Sequence, residues 1–283
     1  MEKDGGRPGI PDRRSVCLYC KAEGRVLSNK KELQICPAQG MMRGKKEEKR
    51  GICFMIGIIG AMPVEVDKLI EAMEETSRET VSMVQFHQGV LAGVPVVVAC
   101  CGAGKVCSAV CAQTMILKYA PRLIINLGVA GGIGPQVKIG DLVVATAVLQ
   151  HDFDTSDLGE EKFLLPLLNK TSLEADERVS SLLVECAREV YPGGVHRGVV
   201  ATGDQFIGSP ERLRLISRET GALACEMEGG SIGHACALAG VPFAVVRAIS
   251  DNADAHAVID FPQFARESAQ KSMTFLMKAL PRL

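Results

Sequence analysis

Three carboxylate-bearing stretches follow apolar segments, each beside small residues. Gly60-Ala61-Met62-Pro63-Val64-Glu65 comes after Met55–Ile59, Glu226-Met227-Glu228 after Ala222–Cys225, and Ser250-Asp251 after Phe243–Ile249. Carboxyl groups gathered in one cleft can exchange protons with a substrate or accept hydrogen bonds from its hydroxyls. Three further stretches carry small residues without a strong acid–base signal: Cys101-Gly102-Ala103-Gly104-Lys105, Gly128-Val129-Ala130-Gly131-Gly132 and Gly203-Asp204-Gln205-Phe206-Ile207. Small residues let a ligand approach the backbone. Taken singly, each signal is weak. Glu65 reads equally as a first-turn helix acid, Asp251 as a helix cap and Gly102–Lys105 as a tight turn. The Walker spacing, the dinucleotide fingerprint, HExxH and the EF-hand loop are all missing, and no metal-ligand set is expected.

The elements that must hold these residues alternate. Strand-like runs are Met55–Ile59, Val94–Cys100, Leu123–Leu127, Asp141–Leu149, Gly198–Thr202 and Phe243–Ile249. Several are continuous Val/Ile stretches, the pattern of strands buried on both faces. Amphipathic stretches between them predict helices over Pro63–Glu75, Val106–Tyr119, Glu174–Val190, Pro210–Glu219, Glu228–Ala239 and Phe261–Ala279. Leu91-Ala92-Gly93-Val94-Pro95 reads as a turn between two strands, so part of the sheet is antiparallel. The pattern predicts a three-layer α/β/α domain with a mixed, twisted central sheet. Ligands in such sheets lie at strand C-terminal ends, where the acidic stretches fall.

The bulk numbers exclude several classes. The 283 residues are 47% hydrophobic and 23% charged, enough for a large core. Thirty-two basic and 33 acidic residues give a net charge of -1, without the basic excess of a nucleic-acid binder. No apolar run approaches the roughly 18 residues of a membrane span. Eleven cysteines, mostly inside apolar segments, point to reduced thiols and a cytoplasmic protein. Residues 1–54 differ: charged, Gly/Pro-rich and aperiodic, they are expected to be a disordered leader. Cys17 and Cys20 lack the second pair that a structural zinc site needs. Met55 opens the first core strand, so the leader reads as an over-extended start, with residues 55–283 forming a single domain.

The ordered set is far more specific than its members. Ile58-Ile59-Gly60-Ala61-Met62, Asn126 to Gly132, Gly203 to Ile207, Glu226-Met227-Glu228 and Val246-Arg247-Ala248-Ile249-Ser250-Asp251 together resemble the 5′-methylthioadenosine/S-adenosylhomocysteine nucleosidases of the purine nucleoside phosphorylase-like superfamily. The resemblance runs from Met55 to near the C-terminus. It implies a homodimeric, cofactor-free hydrolase that releases adenine from a 5′-thioether nucleoside, serving methionine salvage and methyl-cycle recycling. By residue, it implies Asp251 as the proton donor to adenine N7 and Glu65 as the carboxylate that activates water. A free Asp titrates near 3.9, so the donor must be desolvated or bonded in its neutral form. Glu228 would grip the ribose diol, Met227 pack on the sugar, Phe206 stack on adenine, and Ile207 offer backbone groups to its edge. Arg247 would orient Glu65 or the water, and Ser250 would orient Asp251. Ala130 and Gly131 would line the base and sugar site. Met62, Ala103 and Phe261 match the 5′ pocket, with Leu158 entering from a second subunit.

The chain departs from the family in three places. Val129 stands where many members carry Ser, removing a hydroxyl near the water. Pro63 and Val64 replace acidic residues. Thr155 and Asp157 make the Asp152–Pro166 loop more polar, which leaves the 5′ substituent open, 5′-deoxyadenosine included. A phosphorylase of the same superfamily is disfavoured, because Gly128–Gly132 has no Arg and Glu65 would repel phosphate. A nucleoside sensor without turnover is disfavoured by the presence together of Glu65, Glu228 and Asp251.

Overall fold

The computed structural model describes residues 54–251, 267 and 271–283. The leader up to residue 53 and Phe261 lie outside the described residues. In chain order the elements are β1 (Ile56–Gly60), α1 (Pro63–Glu71), β2 (Glu74–Val81), β3 (Val84–Leu91), β4 (Val94–Cys100), α2 (Lys105–Tyr119), β5 (Leu123–Gly132), β6 (Leu142–Gln150), β7 (Leu173–Glu174), α3 (Glu177–Val190), β8 (Val195–Thr202), α4 (Pro210–Thr220), β9 (Ala224–Glu226), α5 (Gly229–Ala239) and β10 (Phe243–Asp251). A further helix, α6, covers 271–279.

One mixed sheet of ten strands carries the fold, in the order β10-β6-β8-β9-β5-β1-β4-β3-β2, with β7 beside β6. β1 runs parallel between β4 and β5. β10 pairs parallel with β5 and antiparallel with β6. Because β5 also pairs with β9, the strands β5, β10, β6, β8 and β9 close into a ring. The layered sheet expected from the alternation is therefore present, and one end of it rolls up around the strand ends that carry the acids.

Period-two alternation sorts the apolar side chains to the two faces. Ile56 and Ile58 of β1, Val96 and Val98 of β4, and Val246 and Ala248 of β10 pack with Val66 and Leu69 of α1, Leu183 and Ala187 of α3, and Phe275 and Leu276 of α6. On the other face Ile59, Val97, Ile124 and Val245 meet Cys111 and Met115 of α2 and Ile232 and Cys236 of α5. Each fully buried Val, Ile or Leu contributes about 1.5–3 kcal/mol relative to exposure. Leu213 and Ile216 of α4 pack with Leu149, Ala201 and Ile207 over the ring.

Several boundaries differ from the sequence reading. The first helix ends at Glu71, and Glu74 begins β2, an edge strand whose residues Glu74 to Val81 show no apolar alternation. Its charges suit an edge that must not recruit another strand. The helix expected from Glu174 starts at Glu177, because Leu173–Glu174 pair with β6 and the Asp176 side chain caps the helix by accepting from Val179 N at 2.9 Å. Such a cap is worth about 1 kcal/mol. β5 and β10 run past their apolar cores to Gly132 and Asp251, which carries the site residues on rigid strands.

Candidate active site

Glu65 owes its position to the first turn of α1. Pro63 occupies the start of the helix, where its missing N–H costs nothing. The Glu65 side chain folds back so that Oε2 accepts from Ala61 N at 2.7 Å and Met62 N at 3.0 Å. Its Oε1 accepts from Val129 N at 3.1 Å, across the β5 strand. A Cβ on Gly128 would stand 2.8 Å from that Oε1, so the glycine makes room for the carboxylate. Burial pushes the Glu65 pKa up, against the opposing pull of the Arg247 charge and the three backbone donors.

Asp251 is the last residue of β10. Ile249 pairs with Ala130 and Asp251 with Gly131, so the register slips by one at Ser250. This bulge re-aims neighbouring side chains that would otherwise point to opposite faces. Ser250 Oγ consequently stands 2.9 Å from Asp251 Oδ2 and 3.2 Å from the Ala130 carbonyl. A Cβ on Gly131 would meet Asp251 Oδ1 at 3.4 Å, so β5 passes close beside the carboxyl.

Glu228 sits at the N-terminus of α5, where its Oε1 accepts from Gly104 N at 2.9 Å. Burial first, then the charge of Glu226, lifts its pKa to about 7, with Arg247 and the Gly104 N–H opposing. Glu65, Glu228 and Asp251 are 9%, 7% and 3% exposed, so all three acids are withdrawn from water.

Arg247 lies beneath them, 1% exposed. Its hydrogen bonds go to Glu226 through Nε at 3.1 Å and through Nη2, to Asn126 Oδ1, and to the Val246 carbonyl at 3.0 Å. It reaches Glu65 and Glu228 as a charge, not as a hydrogen-bonding partner. Glu226 in turn accepts from Thr202 Oγ1, from Glu228 N at 3.0 Å and from Gly229 N at 2.7 Å. Asn126 donates Nδ2 to the Ile59 carbonyl at 2.9 Å. A buried guanidinium thus serves as counter-ion to three carboxylates, with every strong donor satisfied.

A cleft lined by Gly131, Gln205, Phe206, Ile207, Met227 and Asp251 opens beside this cluster. The Phe206 ring is exposed at its mouth, and Ile207 is buried behind it. Ala130 is buried below, Met62 and Met227 are half-buried, and Ala103 is exposed on the loop before α2. The structure thus places Met62, Glu65, Ala103, Ala130, Gly131, Phe206, Ile207, Met227, Glu228, Ser250 and Asp251 around the ends of β1, β4, β5, β8, β9 and β10. Sequence reasoning did not single out Glu226, Asn126 or Thr202. A lone Asn in the otherwise apolar run Leu123–Leu127 was the available signal, because a polar side chain buried in a strand needs partners.

The mixed sheet carries acids at its strand ends with a cleft beside them, and residues 55–281 match the Phosphorylase superfamily. Within it the chain belongs to the 5′-methylthioadenosine/S-adenosylhomocysteine nucleosidase family. Members of that name from Shewanella oneidensis and Shewanella halifaxensis are 38% and 35% identical, over 81% of this chain and 97% and 99% of theirs. The Neisseria meningitidis nucleosidase, solved with methylthio-immucillin-A, aligns with TM-score 0.77 at 31% identity, covering 81% of this chain and 99% of that one. The Streptococcus pyogenes enzyme, solved with 5-methylthiotubericidin, gives 0.78 at 30% identity, covering 83% and 99%.

Proposed function

We propose that this protein hydrolyses the N-glycosidic bond of 5′-methylthioadenosine and S-adenosylhomocysteine, releasing adenine and the thioribose. The observation that carries the reading is three buried carboxylates, Glu65, Glu228 and Asp251, each held by different donors near neighbouring strand ends, with Asp251 lining the cleft. Water attacks C1′ and gives a proton to Glu65. The C1′–N9 bond breaks, its electron pair moves to the base, and Asp251 protonates N7. The Ala61, Met62 and Val129 N–H groups fix Glu65 and leave one lone pair, on Oε1, for the water. Ser250 accepts from or donates to Asp251 and so suits either protonation state. Glu228 accepts from the ribose hydroxyls, Phe206 stacks on adenine, and Met227 packs on the sugar. Met62, Ala103 and Phe261 take the 5′ substituent. Arg247 supports Glu65 and Glu228 by charge from below.

The reading extends to a homodimer. Val106, Val110 and Leu117 leave a line of apolar side chains exposed on α2, and Leu238 is exposed on α5. Leu158, 70% exposed, would reach the partner's 5′ pocket. Among the described residues no helix is long and apolar enough to cross a membrane. Their seven free cysteines fit a reducing compartment, and we assign the cytoplasm.

The test is adenine release from 5′-methylthioadenosine by the purified protein, with and without phosphate. Release that ignores phosphate and leaves free methylthioribose is expected. A sugar 1-phosphate product would instead make it a phosphorylase, and binding without release would make it a sensor.

A further inference from the structure

Gly104 N–H holds Glu228, so whatever fixes Gly104 fixes the ribose carboxylate. Gly104 has φ +94°, and a Cβ there would meet Asp204 Oδ1 at 3.1 Å. The positive φ favours glycine. The next residue, Lys105, donates its backbone N–H to the same Asp204 Oδ1 at 2.7 Å. Its Nζ pairs with Asp152 Oδ1 at 2.6 Å. Asp152 Oδ2 accepts from Asp204 N at 2.8 Å, which closes a ring of three residues, one at the start of α2 and two in loops. The side chains of Lys105 and Asp152 are only 18% and 27% exposed, so the ring is partly shielded from solvent.

These loops have different duties in the proposed reaction. Lys105 follows the loop that braces Glu228. Asp204 opens the loop bearing Phe206 and Ile207. Asp152 heads the segment leading to Thr155, Asp157 and Leu158. The segments also pack directly, since the His151 ring fills the space a Cβ on Gly203 would need, at 2.3 Å from Nε2. Burial holds the His151 pKa below its ordinary value.

We propose that Asp152, Lys105 and Asp204 form a positioning clasp, which sets the Gly104 N–H on Glu228. The inference rests on the functional reading for the duties of Glu228 and Phe206. The clasp touches no substrate and acts through Gly104.

The probe is 5′-methylthiotubercidin, a nucleoside with no N7 to protonate, and its 2′,3′-dideoxy form, which lacks the hydroxyls Glu228 would grip. Calorimetry should show Asp204→Ala and Asp152→Ala weakening the parent analogue about tenfold, the scale of one lost charge-assisted hydrogen bond. The dideoxy analogue should lose less than about twofold, because its binding does not use Glu228. Asp204→Asn keeps an acceptor for Lys105 N–H and should restore the wild-type value. Lys105→Met, which removes only the outer arm, guards against misfolding in the Asp204 variant. Equal losses with both analogues, or none, would overturn the clasp. Amide exchange at Gly104 gives a ligand-free reading: faster in Asp204→Ala, unchanged in Asp204→Asn. Unchanged exchange in both sinks the clasp. Wild-type protein that binds no analogue and releases no adenine sinks the functional reading instead.

Discussion

Nucleoside affinity should depend on pH through Glu228. Its ordinary value of 4.5 is lifted to about 7 by burial and by the neighbouring Glu226. A ribose diol donates two hydrogen bonds, and Gly104 N–H already uses part of Oε1. A proton on the carboxyl would turn one oxygen into a donor and remove the charge that strengthens its hydrogen bonds from both hydroxyls. Binding then follows the ionised fraction, roughly ten in eleven at pH 8 and one in eleven at pH 6, so affinity should fall about tenfold across that interval. A carboxylate at its ordinary value would be ionised throughout and give a flat line. Calorimetry with 5′-methylthiotubercidin at pH 6, 7 and 8 reads the difference without interference from turnover. Glu228→Gln should bind weakly and without this slope. A flat wild-type profile, or a slope that survives Glu228→Gln, would refute the reasoning. The same shift has a stability consequence of known sign. Between pH 4.5 and about 7 the folded protein holds a proton that the unfolded chain has released, so unfolding free energy falls as pH rises. The Glu228 share is about 3 kcal/mol across that window, measurable by urea titration at pH 5 and pH 8.

Other substitutions test other parts of the site. Asp251→Asn should lower kcat by about 10²–10⁴ with little change in analogue affinity, because the amide cannot deliver a proton; near-normal turnover would remove Asp251 from the acid role. Gly128→Ala puts a Cβ 2.8 Å from Glu65 Oε1 and 3.3 Å from Arg247 Nη1, and should cost at least about tenfold in kcat by displacing the base. Unchanged kcat would mean that Glu65 does not need its observed place. Arg247→Met strips the counter-ion from Glu65, Glu226 and Glu228 and should destabilise the fold by about 3–5 kcal/mol, read as a shifted urea midpoint; a shift under about 1 kcal/mol would show that the pair contributes no more than a surface bridge.

What the sequence made legible, and what it hid, follows from the range of the interactions involved. Continuous apolar runs such as Phe243–Ile249 announce a strand buried on both faces, because burial leaves no position for a polar side chain. β2 was illegible for the opposite reason: an edge strand needs no apolar alternation, and Glu74 to Val81 carries charges that protect the edge. The acids Glu65, Glu228 and Asp251 were visible as types at strand ends. The donors that come from far along the chain were not: Val129 for Glu65 and Gly104 for Glu228. Arg247 shows the limit most clearly. Its place in a motif suggested a role toward Glu65 or the water, whereas its guanidinium hydrogen-bonds to Glu226 and Asn126. A fully buried arginine must satisfy its donors before it can do anything else, so its partners are set by burial, which no local spacing encodes. The result is a division of labour between two acids two residues apart: Glu226 anchors the cation, and Glu228, buried beside it, has its pKa lifted to about 7.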